Sequence, residues 1–117
     1  MMTESKATGA WGEIYSSRYL RGKGYSVLCA NYRSKSGEID LVAEKDGVIC
    51  FVEVKTRSEG QFFSPAEAVD SAKEENIKNT ASAFMSQLKR TDKIRFDIIE
   101  VILDNKTYRI RHIINAF

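Results

Sequence analysis

The dipeptide Asp46-Gly47, set between two stretches of alternating apolar residues, constrains this 117-residue chain more than any other feature. Both residues tolerate the positive φ angles of a two-residue type I′ turn, so residues 38–45 and 48–56 are expected to form an antiparallel hairpin. With Asp46 and Gly47 as the loop, Lys45 faces Val48, Glu44 faces Ile49, Val42 faces Phe51, Asp40 faces Glu53 and Glu38 faces Lys55. Side chains alternate along a strand, so Glu38, Asp40 and Val42 share one face with Lys55, Glu53 and Phe51. Ile39, Leu41, Ala43, Val48, Cys50, Val52 and Val54 make up the opposite, apolar face.

Directly opposed carboxylates destabilise a strand pair by roughly 0.2–1 kcal/mol, and by more where water is partly excluded. Three arrangements relieve the repulsion: one acid stays protonated, Lys55 bridges the two, or a divalent cation binds. Oxygen-only ligands suit Mg²⁺ or Mn²⁺, because Mg²⁺ keeps several waters and takes one or two carboxylates beside substrate phosphates. The same residues also fit a solvated polar face, with Glu38 and Lys55 as an ordinary cross-strand pair. A three-residue loop or a bulge would shift the register.

Residues 1–7 are expected to be a disordered lead, followed by a single domain over residues 8–117. Thr8 is a candidate cap for a helix from about Gly9 to Arg21, closed by Gly22 and Gly24. Two faces of that helix compete for the core. Trp11, Ile14, Tyr15 and Tyr19 form a large stripe, and Ala10, Ser16, Ser17 and Leu20 form a smaller one that carries Glu13. If the small face packs, Glu13 can reach the acid pair, and the Trp11/Ile14/Tyr15 stripe is left as a homodimer face.

Tyr25 to Tyr32 alternates as a first strand, with Val27 and Cys29 on one face, Leu28 and Ala30 on the other, and Arg33 to Ser36 as a polar connection. After the hairpin, Phe62 and Phe63 either lead into the next helix or offer base-stacking platforms. Ser64-Pro65-Ala66-Glu67 is a capping box with Pro at the first helical position. Apolar residues recur at helical spacing from Val69 to Leu88, and Asp70-Ser71 can interrupt and restart the helix. Arg95 to Leu103 and Thr107 to Ile113 alternate as two more strands. A long helix between the third and fourth strands suits a parallel crossover, and short turns give antiparallel pairs. The result is an α/β fold, a mixed sheet flanked by helices in the order αβββαββ.

A formal charge of +2 neither demands nor excludes nucleic acid. Arg33 and Lys35 precede the first acidic segment, and Lys55 and Arg57 close the second; each is a candidate phosphate contact or a scattered surface charge. No apolar run approaches the ~20 residues of a membrane span, and the N-terminus lacks the pattern of a signal peptide, so a cytoplasmic protein with no membrane partner is expected. Cys29 and Cys50 lie in apolar stretches without metal-site spacing, which fits reduced thiols. His112 is the only histidine, so a His-activated nucleophile lacks its usual parts.

Gly12-Glu13, Gly24-Tyr25, Asn31-Tyr32-Arg33, Gly37-Glu38-Ile39-Asp40-Leu41, Phe51 to Arg57, Ala68-Val69, Lys73, Arg95-Phe96-Asp97 and Asn115-Ala116-Phe117 occur in this order along the chain. In these residues it resembles the YraN family of uncharacterised bacterial proteins. Those are predicted endonucleases of the PD-(D/E)XK superfamily, similar to archaeal Holliday junction resolvases. The resemblance implies a restriction-endonuclease-like core, with Asp40 and Glu53 as metal-binding acids, Lys55 as the lysine of the D/E-x-K triplet and Glu13 as a further acid from the first helix. It favours packing through the small helix face and brings Lys73 near the site, as a lysine that binds phosphate or supports the metal-binding acids; on the residues alone a surface lysine fits equally well. Ile39 stands where the superfamily name places Pro, a position that varies among members.

On that reading Asp40, Glu53 and the Val54 main-chain carbonyl hold Mg²⁺ or Mn²⁺, and Lys55 orients the attacking water and stabilises developing charge. The expected reaction is hydrolysis of a nucleic-acid backbone, DNA in preference to RNA and branched or structured DNA among its forms. Arg33, Lys35, Arg57 and Lys73 are then the nucleic-acid contacts. The competing expectation is a non-catalytic nucleic-acid-binding or protein-interaction module that keeps the nuclease fold.

Overall fold

The Asp46-Gly47 turn forms as its sequence dictates: the two residues hold φ angles of 52° and 77°, and Lys45 pairs with Val48 across them. The structure is a computed structural model that describes residues 4–62 and 64–117. Its elements are α1 (Glu4–Gly22), β1 (Ser26–Ser34), β2 (Gly37–Lys45), β3 (Val48–Ser58), the single turn α2 (Pro65–Ala68), α3 (Ser71–Leu88), β4 (Lys93–Asp104) and β5 (Thr107–Ile113). The strands form one sheet in the order β1-β2-β3-β4-β5. β3 and β4 are parallel and the other neighbours antiparallel. Parallel neighbours need a crossover, which the segment containing α3 supplies. This is the mixed-sheet, restriction-endonuclease-like α/β order expected from the sequence.

The sheet is covered on both faces. Ile49, Phe51 and Ile98 pack with Ile77, Ala81 and Phe84 of α3, whereas Cys50, Val52, Ile99 and Val101 pack with Leu20 of α1. Central strands buried on both faces read as continuous apolar runs, and residues 49–52 do so. The expected polar face of the hairpin is corrected accordingly. Val42 and Phe51, grouped with the acids by alternation, are fully buried under α3.

Two irregularities in β1 correct the expected faces. A register shift between Val27 and Cys29 sends Val27 to the α1 side and Cys29 to the α3 side, as a bulge does by adding one residue to one strand. Further on, Asn31 holds φ 54° between the pairs Ala30 with Leu41 and Tyr32 with Ile39. At the same level Ile39 packs on the α3 side with Val42, not on the α1 side with Leu41. The polar connection expected at Arg33 to Ser36 is shorter than that: Arg33 and Ser34 pair with Glu38 and Gly37, which leaves Lys35 and Ser36 as the turn.

The helix termini follow local chemistry. The Glu67 N–H donates to Ser64 Oγ at 3.2 Å, and the Lys73 N–H donates to Asp70 Oδ1 at 2.9 Å, so Asp70 caps a second start at Ser71. α1 begins at Glu4, and residues 4–7 of the expected disordered lead are therefore helical. Glu, Lys and Ala are good helix formers. Phe62 is exposed, and Phe63 lies outside the described residues.

α1 packs through its small face. Gly12, Ser16 and Leu20 are buried, while Trp11 and Ile14 are 51% and 42% exposed. A Cβ at position 12 would run into Thr56 Oγ1 and touch Val54 Cγ1, so the helix backbone lies directly on β3. Tyr15 leaves the expected outward stripe: it packs against the α1-side core and stacks on Tyr108, with ring centroids 3.8 Å apart.

Candidate active site

Pairing between β2 and β3 runs from Lys45 with Val48 to Leu41 with Val52 and stops there. β3 continues beside β4 as far as Ser58 with Leu103. The sequence register holds over the paired residues, but Asp40 with Glu53 and Glu38 with Lys55 lie past the ladder, where the strands part. Glu38 instead sits opposite Arg33, 3.5 Å from its guanidinium. Asp40 closes the gap with its side chain, as Oδ2 accepts from the Val54 N–H at 2.8 Å.

The charge of Glu53 acts on Asp40, and Lys73 acts on both, so the two acids share one neighbourhood. Burial pushes the Asp40 carboxyl up to about 7, and the Glu53 charge adds to this. The Val54 N–H pulls it back, Glu13 pushes further, and Lys73 pulls. A carboxyl that titrates near neutrality is one of the expected ways to relieve the repulsion. A second cation supplies another: Lys73 Nζ reaches across from α3 to Glu53 Oε1 at 2.5 Å, and Glu53 is only 8% exposed.

Glu13 is the third acid of this neighbourhood, and Asn31 Nδ2 donates to its Oε2 at 3.0 Å. Asn31 was not among the residues expected at the site. Its signal was present, because Asn is among the few side chains that tolerate the left-handed conformation it adopts. Lys55 lies two residues beyond Glu53 on β3, in register with Glu100.

The expected phosphate contacts divide. Arg33 and Lys35 are exposed at the β1–β2 turn, beside the parted strands. Lys73 is on the acid pair itself. Arg57 is 9% exposed and turned inward, donating to Glu100 Oε2 at 3.0 Å and to the Gln61 carbonyl. The fold uses its guanidinium to neutralise a buried Glu.

Among the described residues no three His, Cys, Asp or Glu side chains form a ready metal cage. Two carboxylates, one of them already holding an ammonium group, suit a cation that keeps its own water shell, which is the preference of Mg²⁺. Among the described residues no helix is long and apolar enough to cross a membrane.

Residues 12–101 match the model of a family described as uncharacterised protein family UPF0102. Over 114 residues the chain is 43% identical to a UPF0102 protein of Syntrophomonas wolfei, covering 97% of this chain and 99% of that protein. It is 44% identical over 116 residues to one of Alkaliphilus oremlandii, again covering 97% and 99%. A UPF0102 protein of Clostridium perfringens is 38% identical over 120 residues, covering 100% of this chain and 98% of that one.

Proposed function

This chain belongs to the uncharacterised protein family UPF0102, and on that premise we propose that it is a cytoplasmic, metal-dependent nuclease that hydrolyses phosphodiester bonds of DNA, branched or structured DNA included. The observation that carries the reading is the coupled pair Asp40 and Glu53 at the parting of β2 and β3, with Lys55 two residues further along. A stabilising core has no use for a carboxyl raised to about 7, and perturbed acids of this kind concentrate at reactive sites.

Asp40 and Glu53 would hold Mg²⁺ or Mn²⁺, with the Val54 carbonyl as a third ligand; in a strand a residue's N–H and C=O point to the same side, and the Val54 N–H points at Asp40. When bound, such an ion activates water and offsets the charge that builds on the phosphate and the leaving oxygen. The protein's own groups position and neutralise. Lys55 orients the nucleophile and stabilises charge on the phosphate. Lys73 neutralises Glu53 until phosphate arrives and then turns to an oxygen of the substrate. Glu13 acts through water from α1, held by Asn31, and Arg33 and Lys35 contact the strand beside the reacting phosphate. The exposed Trp11 indole, with the neighbouring exposed Ile14 side chain, is the homodimer contact.

The test is incubation with plasmid, single-stranded, flapped and four-way-junction DNA in Mg²⁺ or Mn²⁺, alongside Asp40→Asn and Lys55→Ala. The expected result is metal-dependent cleavage by the wild type and at least about a hundredfold loss in each variant. Cleavage that persists unchanged in both variants overturns the nuclease reading. Metal-dependent DNA binding without cleavage would favour the non-catalytic module.

A further inference from the structure

The chain has eight arginines, and six of them face a carboxylate: Arg33, Arg57, Arg90, Arg95, Arg109 and Arg111. The remaining two, Arg18 and Arg21, make no hydrogen bond or ion pair among the described residues. Both line the same cleft, a groove of about 390 Å³ between α1 and the β1–β2 pair. Its floor is Ala30 and Leu41, Ile14 forms part of the wall, and Glu13 marks the end nearest Asp40. A groove of this size falls in the range of small-molecule pockets, about 300–1000 Å³, and is too small for a duplex.

Along a helix that rises 1.5 Å per residue, Arg18 and Arg21 stand about 7.5 and 12 Å from Glu13. Nucleotides stacked on one strand advance about 3.4 Å each, so these two helix positions stand about two to four steps from Glu13. Exposed arginines on a helix ordinarily serve solubility, and Arg21 in the last turn of α1 also suits the helix dipole. Neither role explains why the two arginines without a carboxylate share one apolar-floored groove that leads to the acids.

We propose that this cleft is a subsite for a single DNA strand. On this assignment the nucleotides flanking the reacting phosphate lie over Ala30 and Leu41, and the next phosphates meet Arg18 and Arg21. The inference rests on the nuclease reading for its ligand. It adds a direction: the strand leaves the acid pair along α1, toward the helix C-terminus.

The experiment is fluorescence anisotropy with a 5′-labelled single-stranded decamer of thymidylate, in Ca²⁺ as a hard oxygen-seeking ion. The proteins are the wild type, Arg18→Gln/Arg21→Gln, Arg18→Lys/Arg21→Lys and, as a control for net charge, Lys89→Gln/Lys93→Gln, which lie at the C-cap of α3 and the start of β4 and do not line the cleft. The glutamine pair in the cleft is expected to bind about tenfold more weakly. Its log–log salt slope should fall by about 1.4, because two phosphates of a single strand are no longer neutralised. The lysine pair keeps most of the affinity, and the control pair stays within about twofold of the wild type. Equal weakening by the cleft and control pairs, unchanged binding by the cleft pair, or no binding by the wild type overturns the subsite. A failed nuclease reading shows separately, as absence of cleavage by the wild type whatever the anisotropy gives.

Discussion

Asp40 Oδ2 accepts the Val54 main-chain N–H at 2.8 Å, just past the last pair of the β2–β3 ladder. β3 is passed at this point from two neighbours to one, and its N–H on the β2 side loses its ladder partner. A buried donor left unmet costs about 1–3 kcal/mol, so the fold itself has a use for an acceptor at position 40. It does not need a charged one.

Asp40→Asn therefore separates the fold's requirement from that of the chemistry, since the amide oxygen still accepts from Val54. The Asp40 carboxyl titrates near 7 in the folded chain against 3.8 when unperturbed. Between about pH 4 and pH 7 the folded state holds a proton that the unfolded state has released, so stability falls as pH rises through that window and levels off above it. Metal-free Asp40→Asn is expected to melt a few degrees above the wild type at pH 8, with the gap closing toward pH 4, while DNA cleavage is lost. Thermal melts in a chelator across this range check it, and a variant less stable at pH 8 contradicts the assignment.

Lys73 neutralises Glu53 in the absence of an ion. In Lys73→Gln a nearly buried carboxylate stands beside Asp40 with its partner removed, at a cost of about 1–3 kcal/mol. The variant is expected to melt below the wild type in chelator and to recover more of the difference than the wild type gains when Mn²⁺ is added, because the ion then replaces the ammonium group. Identical melts with and without Mn²⁺ would remove Lys73 from the acid pair.

The hairpin register was legible from Asp46-Gly47 as far as Leu41 with Val52, and the crossover from the length of the helix before β4. The sequence could not show where the ladder stops. That depends on β3 being shared between β2 and β4, a relation among segments far apart in the chain. For the same reason alternation put Phe51 on the face of Glu53, which Lys73 of α3 also meets, but could not show that α3 buries Val42 and Phe51 on that face. Lys73 was expected near the site by resemblance, as a phosphate contact or a support for the acids, but its partner Glu53, 20 residues away, could be identified only once α3 was placed. Arg57, next to the acidic segment in sequence, turns to a Glu on a neighbouring strand. Asn31 was readable as a left-handed residue but not as the holder of Glu13, which the docking of α1 decides.

That docking depends on Gly12. A Cβ there meets Thr56 Oγ1 too closely to be accommodated without movement, and the contact is with the β3 strand that carries the site. Gly12→Ala gains up to about 1 kcal/mol of helix propensity, but overpacking costs typically about 1–3 kcal/mol. The net expectation is lower stability and a displaced Glu13. Thr56→Ala in the same chain opens the space and should restore most of the stability. Urea unfolding of the single and double variants checks this, and a Gly12→Ala protein more stable than the wild type would mean that α1 has room to spare.

Asp97 is fully buried at the centre of a second polar cluster, on the α1 side of the sheet. Arg95 binds it through Nε at 2.9 Å, His112 Nε2 lies 2.8 Å from Oδ2, and the Asn115 N–H donates to Oδ1 at 3.0 Å. His112 Nδ1 in turn meets the Tyr19 hydroxyl at 3.1 Å, and Arg95 donates to the Tyr25 hydroxyl at 2.7 Å, so one carboxylate ties α1, β4, β5 and the C-terminal turn together. Burial by itself would raise the Asp97 carboxyl, but His112, Arg95 and the Asn115 N–H outweigh it and leave it below the usual range. A depressed acid adds stability that is present above the unfolded value near 3.8 and is lost as pH falls through the folded value. Asp97→Asn leaves Arg95 without its counter-charge, and breaking a buried pair from one side costs about 3–5 kcal/mol. The urea midpoint of the variant should therefore fall well below the wild type's at pH 7, and the two should converge as pH falls from 3.8 through the lower folded value, where the wild-type carboxyl is protonated as well. A constant difference across that range would assign the loss to packing instead of charge, and would mean that His112 and Arg95 hold the C-terminal strand without needing the carboxylate between them.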